Sequence, residues 1–459
     1  MTDQRFPCPN GMSSFWRSSL GSLDDHRTTE ALPEKTDILI IGAGYSGGAL
    51  LTHLLSSDDA KNKQILVLEA RQLCSGATGR NGGHLKPDVY NLCSRLSEKY
   101  GVDAAAEIAD FELANVKAVE EYITKTGADC DFVMTRAVDV QLSEDHNVAL
   151  KKRVDEFAAK GVEATKSAFY HDGEQAELYS GVKGAKGAFT YTAGHLWPYK
   201  LIHHMFSNAI SRGKVNLQTH TPATSLTEDP QLGGRWIVET PRGDVRAKQV
   251  IIATNAYTAS ILPEYKNKII PYRTVCSRIV TPGPEKPPLL SSSYALRFSP
   301  WDFDYLIPRP DGSVVVGGAR RTYLRDLNEW YSNTDDSKAI EKARGYFDGY
   351  MQRHFRGWEK SGAYTDQVWA GIMGYSADML PRIGHVPGRK NVFIMGGFTG
   401  HGMPQIFLGA KGLSKMVLEG ASYSETGIPR LFEETEERLA SEQNQVLELH
   451  TSLPPLSKL

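Results

Sequence analysis

A glycine-rich turn between a strand and a helix constrains this chain more than any other feature. Gly42, Gly44 and Gly47 form a G-x-G-x-x-G pattern directly after the apolar run 38–41, and an apolar helical segment follows. Such glycines allow a tight turn and close approach of the backbone to a pyrophosphate, which the helix N-terminus then faces. Glu69 closes the next strand, where a carboxylate can accept hydrogen bonds from ribose hydroxyls. A turn that served only close packing would leave Glu69 without a role, so the pattern predicts a dinucleotide site.

Strand-like runs recur far apart along the chain and indicate an interrupted sheet. They are TDILIIGAG, KQILVLEA, GRWIVET, AKQVIIATNAY and KNVFIMGG. Because the last run lies far from the first two, a second domain must be inserted between them. We therefore predict an α/β fold, a Rossmann-like nucleotide-binding domain with an inserted α+β substrate domain built on an antiparallel sheet. Within the insertion, FDYLIPRPDGSVVVGGAR predicts a hairpin that turns at Asp311 and Gly312.

The predicted boundaries follow from these runs. The nucleotide-binding domain takes residues 1–90, 190–265 and 365–445, and the substrate domain takes 91–189 and 266–364. Residues 446–459 are expected to form a flexible tail.

Composition narrows the classes of partner. The 459 residues include 23% charged side chains and carry a net charge of −2, which is not typical of a nucleic-acid or anionic-membrane surface. The run 38–55 has no charged residue, but its four glycines and its change of period argue against a membrane span. The five cysteines form no C-x-x-C pair and no cluster with histidine, so neither a disulfide framework nor a metal site is predicted. The expected partner is a small molecule.

Two further glycine-rich turns lie far apart in the sequence. CSGATGRNGGHLKP, at 74–87, can place its backbone against a flat ring or a phosphate, or can be an ordinary flexible loop. GGFTGHGMPQIFLGAKGL follows a strand and leads into a helix predicted to begin at Pro404, because proline is favoured in a first turn.

These segments together resemble the D-amino-acid oxidase family of flavoproteins, in particular its amine-oxidising branch that includes sarcosine oxidase and γ-glutamylputrescine oxidase. The resemblance rests on the βαβ unit, TGRNGGHL, AGHLWPYKL, IIATNAYT, WAGIMGYSADMLPRIG and GGFTGHGM. It implies FAD extended across the first domain, with the ribose on Glu69, the adenine beside Ala223 and Thr224, and the isoalloxazine near 80–85 and 397–403. The residues expected at the cofactor are Gly42, Ala43, Gly44, Tyr45, Ser46, Gly47, Glu69, Ala70, Arg71, Ser75, Thr78, Gly79, Arg80, Asn81, Gly82, Gly83, His84, Leu85, Ala223, Thr224, Ala253, Thr254, Gly397, Phe398, Thr399, Gly400, His401, Gly402 and Met403.

The resemblance also bears on how FAD is held. Some relatives attach the flavin through a cysteine in the segment matching GIMGYSAD, which has none here, and others through a histidine whose match is Arg80. Non-covalent FAD is therefore expected, although His84 remains open as a contact, as a covalent link or as a loop residue bonded to backbone.

Five residues are candidates for the reaction site: His84, Tyr305, Trp369, Tyr375 and His401. Trp369 and Tyr375 can be walls of an amine-binding cage or parts of the core. Tyr305 lies on the predicted hairpin with Arg309, which is either a roof residue or a surface guanidinium. His401 is expected to shape its turn rather than to carry a proton.

The chemistry implied is the transfer of a hydride to flavin N5 from the carbon beside the nitrogen of a secondary amine, an N-substituted amino acid or a polyamine derivative. No second dinucleotide fingerprint is present, since GVKGAKG has the wrong spacing, so O2 is the expected acceptor and H2O2 the product. Sarcosine oxidase has a lysine for the substrate carboxylate just after its G-H-G turn, where this chain reads Met403-Pro404-Gln405, which argues against sarcosine as the substrate. Its oxygen-activating lysine lies on the strand matching GSVVVGG, which contains no lysine here. A dehydrogenase that uses a quinone or protein acceptor, and a flavin-binding protein without turnover, therefore stay open.

The sequence ends in Ser457, Lys458 and Leu459, a tripeptide that the peroxisomal import receptor reads. An oxidase that releases H2O2 suits that compartment, so a peroxisomal location is expected.

Overall fold

The computed structural model describes residues 6–231, 233–283 and 287–451. Within that portion, the strands form two sheets. The first sheet has the order β16-β17-β10-β1-β2-β7, and the pairs from β17 to β7 are parallel. Its strands are β1 (Lys35–Ile41), β2 (Ile65–Leu68), β7 (Val215–Gln218), β8 (Ser225–Glu228), β9 (Trp236–Thr240), β10 (Gly243–Ile252), β16 (Arg382–His385) and β17 (Val392–Gly396).

The apolar runs of the sequence explain the parallel core. Every residue of β2 and of β17 is buried, as is expected of strands covered on both faces. All five runs predicted as strands are strands of this sheet, and the antiparallel pair β8–β9 extends it beside β10.

The second sheet has the order β15-β11-β14-β13-β12-β4-β6-β3 and is antiparallel except where β12 pairs with β4. The predicted hairpin is present as the pair β13–β14. The strands of this second sheet are β3 (His84–Leu85), β4 (Val133–Gln141), β5 (Phe169–Asp172), β6 (Gly187–His195), β11 (Ile269–Val280), β12 (Ser293–Arg297), β13 (Phe303–Pro308), β14 (Val314–Gly318) and β15 (Tyr364–Ser376).

The helices cover both sheets. α1, α6 and α10 pack together over the parallel sheet, and α2, α3 and α4 lie beside the second one. They are α1 (Tyr45–Leu54), α2 (Asn91–Tyr100), α3 (Val102–Thr126), α4 (Glu144–Ala159), α5 (Gly173–Ser180), α6 (Pro198–Ser211), α7 (Arg320–Tyr323), α8 (Leu327–Trp330), α9 (Tyr350–His354), α10 (Ile406–Glu419), α11 (Glu436–Ala440) and α12 (Gln445–Thr451).

The sheets cross the predicted domain boundaries in three places. β3 lies before residue 90 but pairs with β6 in the second sheet. β6 itself continues to His195, and β15 continues to Ser376, so both strands extend past the predicted borders at 190 and 365. The chain returns to the parallel sheet only after these strands end, because each must complete its pairing with its neighbour.

The chain near residue 446 is not a flexible tail. α12 spans Gln445–Thr451, and Val446 is buried in the core of the second sheet. The His450 ring lies 5.8 Å from the Trp330 ring. The rest of the predicted tail, including Ser457, Lys458 and Leu459, lies outside the described residues.

Two other predictions concern the start of α10 and the uncharged run 38–55. α10 begins at Ile406 rather than at Pro404, because Pro404 lies within the preceding turn. The uncharged run 38–55 is divided between β1 and α1. No helix in the described ranges is long and apolar enough to cross a membrane.

Candidate active site

The glycine motif forms the turn from β1 to α1. Gly42 has a φ of 116°, which favours glycine, and a Cβ built there would lie 2.6 Å from the Ala253 carbonyl oxygen. Gly44 caps α1 and supplies no side-chain hydrogen bond, so the helix N-terminus depends on other partners. The backbone of this turn and the N-terminus of α1 therefore lie together at one end of the parallel strands.

Glu69 lies beside this turn at the end of β2. Its Oε2 accepts a hydrogen bond from the Ala43 N–H at 2.9 Å, and its Oε1 accepts one from the Arg71 N–H at 2.9 Å. Both contacts hold the carboxylate at the cavity wall, while each oxygen keeps a further lone pair for a hydroxyl.

A cavity of about 200 Å³ runs along these groups, and we call it the dinucleotide cavity. It contains buried polar atoms that need a ligand. The Ser75 and Tyr257 hydroxyls line it, are buried and have no hydrogen-bond partner among the described residues. The predicted cofactor residues that line it are Gly42, Gly44, Tyr45, Ser46, Glu69, Ala70, Arg71, Ser75, Thr78, Asn81, Ala223, Ala253, Thr254, Phe398, Gly400, Gly402 and Met403.

A second cavity, of about 370 Å³, adjoins the first, and we call it the outer cavity. The two share a wall made by the loop 77–83, by β15 and by the turn 397–403. The shared residues are Ala77, Asn81, Ile372, Met373, Phe398, Gly400 and Met403. Five more predicted cofactor residues line the outer cavity, namely Arg80, Gly82, His84, Thr399 and His401.

The remaining predicted cofactor residues line neither cavity. A Cβ on Gly47 or Gly79 would collide with a backbone carbonyl oxygen, so these glycines permit close packing. Thr224 is exposed, and its N–H donates to the Glu239 carbonyl. The other four are Ala43, Gly83, Leu85 and Gly397.

His84 lies in the wall of the outer cavity. Both ring nitrogens are buried, and neither has a hydrogen-bond partner among the residues that the structure describes. The ring packs edge-on to Tyr305, with centroids 5.5 Å apart. Burial lowers the pKa of His84 well below its ordinary value, and the charge of Lys86 lowers it further. His84 is therefore a neutral imidazole with free polar atoms at the cavity.

His401 also lines the outer cavity, in the turn before α10. Its Nε2 is 2.8 Å from Glu112 Oε2, and Gln405 Nε2 donates to the other Glu112 oxygen at 2.7 Å. Burial alone would lower the pKa of His401, but the Glu112 carboxylate outweighs burial and raises it. The partner of His401 comes from α3, which the sequence did not suggest.

The three aromatic candidates have different surroundings. Tyr305 and Tyr375 line the outer cavity, and Tyr375 stacks on Tyr272 with centroids 4.3 Å apart. Trp369 does not reach the cavity. It is fully buried, and its Nε1–H donates to the Arg80 carbonyl at 2.8 Å, so it supports the loop 77–83 from behind.

Arg309 is neither a cavity roof nor a surface group. It is buried and pairs with Asp131, and its guanidinium carbon lies 5.1 and 5.2 Å from the ring centroids of Trp16 and Trp197. These contacts join the N-terminal segment to the turn of the hairpin β13–β14.

Sequence reasoning missed the charged groups of the outer cavity. Lys86 and Arg297 line it and share the buried carboxylate of Asp139, while Arg320 lines it beside Tyr375. Burial acts to raise the pKa of Asp139, yet the charges of Lys86 and Arg297 lower it to about 2. No local pattern marks these residues, since they meet only through strand pairing.

A family model described as FAD dependent oxidoreductase (DAO) matches residues 37–416 of this chain. Gamma-glutamylputrescine oxidoreductase of Escherichia coli (strain K12) is 22% identical over 397 residues, which are 83% of each chain. Glycine oxidase of Bacillus licheniformis is 21% identical over 81% of this chain and 89% of its own. Human mitochondrial dimethylglycine dehydrogenase is 25% identical over 84% of this chain but only 43% of its own length.

Solved structures show the same fold. Glycine oxidase from Geobacillus kaustophilus has a TM-score of 0.68 at 16% identity and covers 88% of this chain and 99% of its own. An L-amino acid deaminase from Proteus vulgaris has a TM-score of 0.65 at 17% identity and covers 90% and 96%.

Proposed function

We propose, starting from its membership of the FAD dependent oxidoreductase (DAO) family, that this chain is an oxidase of amines or amino acids that works at the wall between its two cavities. FAD is the cofactor, and the substrate is an amine or amino acid. We further propose that the reaction is a hydride transfer, that O2 is the electron acceptor, and that the substrate is a particular class of amine.

The dinucleotide cavity fits FAD. A Cβ at Gly76 would meet nothing within 4 Å, and one at Gly44 would meet only the Thr78 hydroxyl at 3.4 Å, so open space lies against both glycines. Glu69, Ser75 and Tyr257 supply polar groups along it. We place the adenosine end near Glu69 and Ala223, and the ring of the flavin at the shared wall.

The single observation that carries the proposal is that two cavities meet at one wall. When bound there, FAD supplies a ring that accepts a hydride from the carbon beside the substrate nitrogen. The chain itself contributes orientation and exclusion of water, because the outer cavity is lined mainly by apolar and aromatic side chains.

Two groups of the chain act on charge and protons. The neutral His84 ring can accept a hydrogen bond from the amine N–H and so orient the nitrogen and its neighbouring C–H bond. The backbone N–H groups of Gly400, Gly402 and Met403 and the N-terminus of α10 stabilise negative charge that develops at the wall.

The electron acceptor is proposed to be O2. The support is sequence alone: no second dinucleotide fingerprint is present for a pyridine nucleotide. A dehydrogenase is the second candidate, favoured by the absence of lysine from β14 (Val314–Gly318) and by the name of the dimethylglycine relative.

The test of the proposed function is an anaerobic screen of secondary amines, N-alkyl amino acids and polyamine derivatives. The visible band of oxidised flavin should disappear on mixing with a substrate, and it should return when air is admitted. A protein that carries FAD and is bleached by dithionite but by none of these compounds would contradict the proposal.

The location stays a prediction. We propose a peroxisomal enzyme on the C-terminal Ser457, Lys458 and Leu459 and on the H2O2 that an oxidase would release.

A further inference from the structure

The outer cavity carries an excess of positive charge. Five Lys or Arg residues line it against one carboxylate, Asp88, whose Oδ1 already accepts the Leu92 N–H of α2 at 2.8 Å. Arg80 is offset by the buried Asp336, 3.3 Å away. The other cations are Lys86, Arg95, Arg297 and Arg320. A polyamine in its usual polycationic form would be repelled here, and an anion would be attracted.

Arg320 is the first positive pole. Its Nη2 donates to the Tyr375 hydroxyl at 2.8 Å, and its guanidinium lies 5.5 Å from the Tyr272 ring. Among the described residues it forms no ion pair, since the neighbouring Asp302 is paired with Arg321 at 2.5 Å. Because this partly buried guanidinium has no carboxylate partner within the described ranges, it can bind an anion from the cavity.

Lys86 and Arg297 form the second pole. Both are paired with Asp139, with Arg297 Nη2 3.3 Å from its Oδ2, and Asp139 also accepts the Tyr90 hydroxyl at 2.6 Å. Two cations share one carboxylate, so one positive charge remains. Arg297 Nε is buried and has no hydrogen-bond partner among the described residues.

Both poles lie beside the ring of Phe303. The guanidinium carbon of Arg297 lies 5.1 Å from the Phe303 ring centroid, and that of Arg320 lies 5.0 Å from it. Tyr305 lies two residues along the same strand and therefore on the same face, and it contacts the neutral His84. The two cationic poles and the uncharged imidazole of His84 thus line the same cavity, around Phe303 and Tyr305.

We propose that the substrate is a secondary amine with two carboxylates, one bound by Arg320 and the other by Arg297 and Lys86, with its nitrogen toward His84. This inference rests on the proposed function and selects its substrate class, the N-carboxyalkyl amino acids. Bidentate pairing of guanidinium with carboxylate gives each pole its selectivity. The aromatic walls and the cavity volume of about 370 Å³ leave room for an apolar side chain.

The experiment uses the FAD-loaded enzyme and a matched series with two, one or no carboxylates. N-(carboxymethyl)phenylalanine should bleach the flavin at lower concentration than N-methylphenylalanine, and N-methylphenethylamine should be poorest. Binding is measured separately with the ether analogue 2-(carboxymethoxy)-3-phenylpropanoate, which is no amine and therefore perturbs the flavin spectrum without reducing it.

Variants at position 320 test the first pole. Arg320→Met should weaken binding of the ether by at least about tenfold, because a charge-assisted hydrogen bond is lost, while Arg320→Lys should retain part of it. Arg344→Met is the control, since Arg344 is exposed, pairs with Glu341 at 3.1 Å and does not line the cavity; it should bind as the parent does.

The outcomes separate the two proposals. Equal binding of the ether by the parent and by Arg320→Met, or preference for the amine without carboxylate, would overturn the two-pole site even if amines bleach the flavin. Tight, Arg320-dependent binding of the ether with no bleaching by any amine would leave the two-pole site standing and sink the proposed function.

Discussion

His401 Nε2 lies 2.8 Å from Glu112 Oε2 and so joins the turn after β17 to the middle of α3. Glu112 is fully buried, and Gln405 donates to its second oxygen. This contact holds the turn 397–403, which is part of the wall between the two cavities. Its ion pair depends on the protonation of His401.

Glu112→Gln should change the pH dependence of stability. The raised pKa of His401 means that its ion pair contributes fully below the ordinary value of 6.5 and is lost as pH rises through the raised value. The parent protein should therefore lose part of its free energy of unfolding as pH rises above that value. At pH values just below 6.5, where His401 is protonated, Glu112→Gln should lower the free energy of unfolding by about 2 kcal/mol. The variant should also lose this dependence of the free energy of unfolding on pH, which we call the slope. Denaturant melts across pH test this.

Gln405→Leu is the control for that variant, because it removes one donor to Glu112 and leaves the carboxylate in place. The slope should persist in it. An identical slope in the parent and in Glu112→Gln would contradict the role of this pair.

Gly44→Ala and Gly47→Ala should fail in different ways. A Cβ at Gly44 meets no protein atom closer than 3.4 Å, so the fold should persist while the added methyl group narrows the dinucleotide cavity and FAD content falls. A Cβ at Gly47 collides with the Gly42 carbonyl oxygen, so that variant should be destabilised even without FAD. Apo-protein melts and the flavin-to-protein absorbance ratio distinguish the two. Full flavin retention in Gly44→Ala would contradict the assigned cofactor path.

Asp336→Asn should destabilise the protein by about 3 kcal/mol, because it leaves two buried guanidinium groups without a carboxylate. Asp336 lies 2.9 Å from Arg71 and 3.3 Å from Arg80, and both cations belong to loops of the dinucleotide cavity. Chemical denaturation of the apo-protein is the measurement. Asp335→Asn, at the partly exposed neighbouring position, should change stability far less.

FAD should be released when the protein is precipitated with trichloroacetic acid. Position 80 is arginine and the segment 371–378 contains no cysteine, so the attachment points known in relatives are missing. His84→Asn should release flavin in the same way. Yellow pellets from the parent but not from His84→Asn would instead identify a covalent link at His84.

A fluorescent protein extended at its C-terminus by residues 446–459 should enter peroxisomes, and Lys458→Glu should keep it out. Diffuse fluorescence of both fusions would contradict the predicted address.

The βαβ unit was predictable because its signals are local. Gly42, Gly44 and Glu69 mark a turn and a strand end within one short stretch, and Asp311-Gly312 marks a hairpin by itself. The dinucleotide site followed from such local patterns, whereas FAD followed from the resemblance of several segments to the D-amino-acid oxidase family.

The polar walls of the outer cavity were not predictable in the same way. Asp139, Arg297 and Lys86 lie on three separate strands or loops and meet through the pairing of β4 with β12. The importance of Arg320 rests on a missing partner, which no sequence displays. The sequence of α12 was predicted to belong to a flexible tail, yet Val446 is buried in the core of the second sheet.

The most direct test of the account follows oxygen and peroxide during turnover of a bleaching amine. With an oxygen electrode and a peroxide assay, the account predicts that one O2 is consumed and one H2O2 formed for each amine oxidised. Flavin that stays reduced in air, but is promptly reoxidised by a quinone, would contradict the proposal that this chain is an oxidase.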